Sequence, residues 1–148
     1  MDHGLRIIIW NVCGLNARAR RTAIRSLVVT SSTTIACFQE TKMEFIYSST
    51  VLEALGSEFD DYVYLPASGT RGGILLAWKS RDVSITEPMF TTNTLSARVA
   101  TPDGSSAPWL TIFYGPQDDH GKTAFLPEIH DVRVACTGLW LVCGDFNL

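Results

Sequence analysis

The sequence predicts an α/β chain in which two sheets pack face to face with helices outside. Three observations carry this. The element order reads strand–helix–strand–helix, then a meander of strands, then strand–helix–strand. Long antiparallel stretches combine with helices in three places, which suits layered sheets covered by helices. A hydrophobic content of 46% over 148 residues is ample for a core, so residues 1–148 are read as one domain or the N-terminal portion of one.

Residues 6–10, Arg-Ile-Ile-Ile-Trp, form the first apolar strand and deliver Asn11. Gly14-Leu15-Asn16 follows, with Asn16 as the expected cap of a helix over 17–29 whose Ile24, Leu27 and Val28 share a face. The strand at 34–38 delivers Gln39-Glu40-Thr41, and 42–48 reads as a loop beside that strand end. Thr50 and Glu53 have capping-box spacing, with Gly56 as the stop of a short second helix.

The middle of the chain is β-rich, with strands expected at 62–65, 73–78, 83–86 and 95–100. In the last of these Leu95, Ala97 and Val99 face one way, Ser96 and Arg98 the other. Residues 68–73 and 102–104 are turns, and 117–121 a polar loop. The strand at 109–113 delivers Tyr114-Gly115-Pro116. A helix over 122–135 presents Phe125, Ile129 and Val132, with Pro127 expected in its first turn or at a kink. The final strand, 139–143, runs into Gly144-Asp145-Phe146-Asn147.

That last segment is the most informative. In extended backbone Asp145 and Asn147 point the same way, since strand side chains repeat every second residue. A carboxylate there can orient a water or bind a cation, and an amide can donate to a developing oxyanion. Four apolar strands thus end on Asn11, Glu40, Tyr114 and Asp145/Asn147, all compatible with metal or phosphate, which points to one shared site.

Net charge is −3, so any phosphate-backbone contact must come from a local patch. The one cationic cluster, Arg18, Arg20, Arg21 and Arg25, reads as a solvated helix face. The charged fraction of 18% is below the usual quarter and mean hydropathy is +0.13, as for a surface partly covered by something else. Cysteines 13, 37, 136 and 143 have no zinc-like spacing and fit a reduced, intracellular setting, nuclear or cytoplasmic. No apolar run is long enough to span a bilayer, and no leader-like start is seen. Trp78 and Trp109 read as core. His3, His120 and His130 read as surface or helix-face residues, and Asp118-Asp119 as an exposed acidic loop.

Five strings occur in order: Trp10-Asn11-Val12-Cys13-Gly14-Leu15-Asn16; Phe38-Gln39-Glu40-Thr41-Lys42; Gly69 to Trp78; Phe113-Tyr114-Gly115-Pro116-Gln117; and Gly144-Asp145-Phe146-Asn147. Together they resemble the endonuclease/exonuclease/phosphatase superfamily. More narrowly, they are similar to the apurinic-type endonuclease domain of plant non-LTR (LINE) retrotransposons. The resemblance implies a four-layer α/β sandwich that uses Mg²⁺ or Mn²⁺ to hydrolyse DNA phosphodiesters. It implies Glu40 as principal metal ligand with Asn11 beside it, and Tyr114 at the scissile phosphate or assisting the leaving group. Asp145 would orient the attacking water and Asn147 hold that water or a phosphoryl oxygen.

Such relatives also carry a later Ser-Asp-His-type motif and an aspartate partner, which this sequence does not contain. The expectation is therefore a C-terminally incomplete sandwich of low solubility, with no appreciable nicking of DNA by residues 1–148. Ser32-Thr33-Thr34 stands where the relatives usually have Pro-Asp, and Cys13 where arginine is common. The alternatives are a sugar- or lipid-phosphate phosphatase of the same superfamily and a non-catalytic gene remnant.

Overall fold

A computed structural model describes residues 5–69, 71–104 and 107–147. Its elements are β1 (Ile7–Asn11), α1 (Arg18–Ser31), β2 (Ile35–Gln39), α2 (Ser48–Leu55), β3 (Asp61–Leu65) and β4 (Ile74–Trp78), followed by β5 (Ser84–Phe90), β6 (Thr94–Ala100), β7 (Trp109–Tyr114), α3 (Asp119–Ala135) and β8 (Trp140–Asp145). They build two four-stranded sheets, ordered β1-β2-β4-β3 and β5-β6-β7-β8. Each sheet holds one parallel pair, β1/β2 bridged by α1 and β7/β8 bridged by α3, while its other pairings are antiparallel.

Side-chain alternation stacks these sheets into layers. From β2, Ile35 and Cys37 face the second sheet, whereas Ala36 and Phe38 face the helices. Strand β4 repeats the pattern with Ile74, Leu76 and Trp78 inward and Leu75 and Ala77 outward. From the opposite sheet Leu95, Ala97, Val99, Leu110 and Ile112 complete the inter-sheet core, as the alternation over 95–100 requires. Helices α1 and α2 cover one outer face through Ile24, Val28, Val51 and Leu55; α3 covers the other through Phe125 and Val132. The result is the two-sheet α/β sandwich with outer helices that the sequence predicts. Trp78 and Trp109 are buried in it.

Several local expectations are corrected. Asn16 does not cap α1: the N-cap is Ala17 without a side-chain bond, and Asn16 Nδ2 donates instead to the Lys42 carbonyl, 3.3 Å away. The Thr50/Glu53 capping box does not form, because α2 already starts at Ser48 and Glu53 pairs with Arg21 at 2.7 Å. Gly56 does end that helix, at φ 93°. Leu27 is 52% exposed, so the buried stripe of α1 is Ile24 and Val28 alone.

Residues 117–121 are only partly a loop. Asp118 accepts from the Gly121 N–H at 2.5 Å and caps α3, and Pro127 lies mid-helix. Strand β5 extends to Phe90 despite Pro88, because it is an edge strand with a register shift between Thr86 and Met89. Thr70, within the expected turn at 68–73, lies outside the described residues, as does His3. His120 and His130 sit exposed on α3. The four cysteines are free thiols.

Candidate active site

Both parallel pairs end at the same rim of the sandwich. In β1/β2 the last register pair is Asn11 with Gln39; in β7/β8 it is Tyr114 with Asp145. Loop hydrogen bonds extend the first sheet past its strands: Gly14 N–H donates to the Glu40 carbonyl at 2.8 Å, and Lys42 N–H to the Gly72 carbonyl at 2.7 Å. Within this zipped loop Cys13, Glu40 and Lys42 are left-handed, at φ 51°, 56° and 56°. Non-glycine residues in that region are strained, and such strain collects where side chains must be re-aimed.

Glu40 is the hub. Lys42 Nζ lies 3.2 Å from its Oε1, and the polar side chains of Asn11 and Tyr114 act on its carboxylate from either side of the rim. Burial alone would raise its pKa. The polar influence of Asn11, Lys42 and Tyr114, with the Lys42 charge, outweighs burial and holds the group below its ordinary value. Tyr114 shows the converse. Burial pushes its phenol up, the bond to Glu40 adds to this, and the pKa reaches about 12, so it stays a protonated donor at any physiological pH.

Asn11 Oδ1 accepts from Cys13 N–H at 3.1 Å, which leaves its amide nitrogen open toward the Glu40 side of the rim. Asp145 bears electrostatically on Tyr114, and its Oδ1 accepts from Asn147 N–H at 3.0 Å. Asn147 Nδ2 then donates to the Gly115 carbonyl at 2.6 Å. All five residues singled out in the sequence thus stand at one rim, with Asn11 and Tyr114 acting on Glu40 and Asp145 and Asn147 at the neighbouring strand end.

Sequence reasoning missed the residues that fix this arrangement. Gln39 is 3% exposed and sends Nε2 across to the Phe113 carbonyl at 2.8 Å, tying the two sheets directly below the site. Gln117 Nε2 donates to Tyr114 Oη at 3.0 Å. Lys42 was read only as loop. A buried glutamine at a strand end was a signal available in the sequence; the identity of its partner was not.

Gly72 is a packing requirement rather than only a turn residue. A Cβ there would lie 2.5 Å from Tyr114 Cε1 and 3.2 Å from Glu40 Cα. Gly72→Ala should therefore push the tyrosine off Glu40 and cost about 1–3 kcal/mol, the usual price of overpacking. Urea unfolding with an unchanged midpoint would refute this.

A divalent metal fits the donor chemistry. Glu40 already holds one cation, the Lys42 ammonium, and Mg²⁺ takes one or two carboxylates while keeping waters and substrate phosphate. No group of three or more His, Cys, Asp and Glu stands among the described residues, so a closed, all-protein cage is not present among them.

The two-sheet α/β sandwich with polar residues gathered at the strand ends defines the structural class of this chain. The sequence profile of the Endonuclease/Exonuclease/phosphatase family matches residues 8–148, and the chain belongs to that family. No curated protein sequence matches it. Among solved structures, the human Nocturnin catalytic domain with bound sulfate anion superposes with TM-score 0.71 at 13% identity, over 97% of this chain and 64% of that one. TDP2 from D. rerio, complexed with single-strand DNA product, gives 0.68 at 19% identity, over 97% and 61%. AP endonuclease LMAP from Leishmania major gives 0.65 at 17%, over 97% and 55%. These likenesses show the fold, and the chain spans less than two thirds of each of these structures' length.

Proposed function

We propose that this domain binds a DNA phosphodiester together with Mg²⁺ or Mn²⁺, as part of an endonuclease of the LINE-retrotransposon type. The observation that supports it most is the convergence of Asn11, Glu40, Tyr114, Asp145 and Asn147 at one rim from four separate strands. Bound at Glu40, a divalent cation would polarise a phosphoryl oxygen and offset its negative charge. Asn11 and Lys42 keep the Glu40 carboxylate ionised and aimed. Tyr114 brings a proton donor to the phosphate or its leaving oxygen. Asp145 accepts a proton from, or orients, an incoming water, with its own position fixed by the Asn147 N–H.

The phosphatase alternative is weighed by the same site. The WN…GLN, QETK, RGGILLAW and YGPQ strings favour the nuclease reading. Calorimetry separates the two, because a metal and a phosphate ligand that bind in contact change each other's affinity by the same factor. Mn²⁺ affinity should rise in the presence of an abasic DNA duplex with an uncleavable backbone, and should not respond to inositol phosphates. A rise with inositol phosphate and none with the duplex would overturn the nuclease reading.

A further inference from the structure

Helix α1 carries Arg18, Arg20, Arg21 and Arg25 and no acidic residue. Two of these have structural duties that correct the reading of a uniformly solvated face. Arg20 Nη1 donates to the Val12 carbonyl at 2.6 Å. Arg21 pairs with Glu53 at 2.7 Å and donates to the Leu15 carbonyl at 2.6 Å. Arg18 and Arg25 are exposed and have no hydrogen bond or ion pair among the described residues. With Arg21, Thr22, Ser26 and Glu53 they line a groove of about 620 Å³ between α1 and α2.

Three features make this groove more than a charged helix surface. Three of the cations, Arg18, Arg20 and Arg21, stand in the first turn of α1, where the helix dipole disfavours them, so their placement there lowers helix stability rather than raising it. The chain as a whole is acidic, at −3, so this is a local reversal of sign. The groove is also tied to the loop that carries Glu40: Arg21, which lines it, donates to the Leu15 carbonyl, and Leu15 N–H donates to the Thr41 carbonyl at 2.9 Å. Arg18 and Arg25 are seven residues apart, about 10 Å along the helix axis. That distance corresponds to roughly three steps of 3.4 Å along one strand of a duplex.

We propose that the α1/α2 groove is a second nucleic-acid site, in which Arg18 and Arg25 hold phosphates of a duplex flanking the one at Glu40. It rests on the proposed function only for the identity of the polymer, and its test is free of metal and of catalysis. Fluorescence anisotropy of a labelled DNA duplex in EDTA is measured between about 50 and 200 mM salt. In R18A/R25A the slope of log affinity against log salt should fall in magnitude by about 1.8, since each lost phosphate contact removes about 0.9. R18K/R25K should retain most of the slope, and E53Q should tighten binding.

Neither free arginine is bonded to the fold, so R18A/R25A should unfold in urea at or slightly above the wild-type midpoint, since losing Arg18 also relieves the helix dipole. An unchanged slope and affinity in R18A/R25A overturns the proposal. So does poly-glutamate that displaces the duplex at charge-equivalent concentration, which would assign the groove to an acidic protein. If the slope changes as expected while the calorimetric test fails, the assignment at Glu40 falls and the groove stands. If duplex-linked Mn²⁺ binding is found but the slope is insensitive to Arg18 and Arg25, the groove alone is refuted.

Discussion

Glu40→Gln should abolish measurable Mn²⁺ binding, read as a free-Mn²⁺ spectrum by electron paramagnetic resonance at concentrations where the wild type binds. The substitution keeps the shape of the side chain and removes the charge on which Asn11, Lys42 and Tyr114 converge. Disturbing a second shell already costs about 10–100-fold in metal affinity, and loss of the carboxylate at the hub should exceed that. The pH dependence follows from the direction of the shift. Glu40 is held below its ordinary value, so its charged form is favoured in the fold. The stability and metal affinity it contributes are complete above the ordinary carboxylate range and are lost as pH falls through the depressed folded value. Mn²⁺ binding should therefore be flat from neutral pH down to about 5. Binding that halves between about pH 7 and 5.5 would point to another ligand. Wild-type affinity in Glu40→Gln would remove Glu40 from the metal site altogether.

The largest effect on stability is expected at Phe113. Its ring is fully buried and meets Phe125 at 5.9 Å and Trp140 at 6.3 Å between centroids, with Phe146 at 5.2 Å. Phe113→Ala removes an aromatic side chain from a packed core and leaves a cavity, which costs about 3–5 kcal/mol. Against a total stability of about 5–15 kcal/mol that is a large fraction. The consequence for the site is direct, because Phe146 sits between Asp145 and Asn147 and is seated on Phe113. Urea denaturation should show the lower midpoint, and tryptophan fluorescence should report a loosened Trp140. Loss of less than about 1 kcal/mol would mean that the rings are not packed as described.

Much of this architecture was legible because burial is periodic and local. Isoleucine and leucine runs of strand length, and the alternation of Leu95, Ala97 and Val99 with Ser96 and Arg98, follow from which face meets a core. The glycine stop at Gly56 was equally local. Capping was not, because Asn16 and Glu53 each have a competing partner remote in sequence, the Lys42 carbonyl and Arg21. Pro88 hid the length of β5, since whether a proline is tolerated depends on the strand lying at an edge.

The sequence by itself singled out the candidate residues: Asn11, Glu40, Tyr114 and Asp145 stand at the ends of four apolar strands, with Asn147 two residues beyond the last, and strand ends must emerge from the core. Only the tertiary structure decided that Asn11, Glu40 and Tyr114 come to one rim. It also decided that Lys42 neutralises Glu40, that Gln39 reaches Phe113 from the other sheet, and that Gly72 leaves room for the tyrosine ring. The physical reason is range. Which face of a strand is buried is set by neighbours two residues away, whereas these contacts join positions up to 74 residues apart whose meeting depends on how two sheets stack.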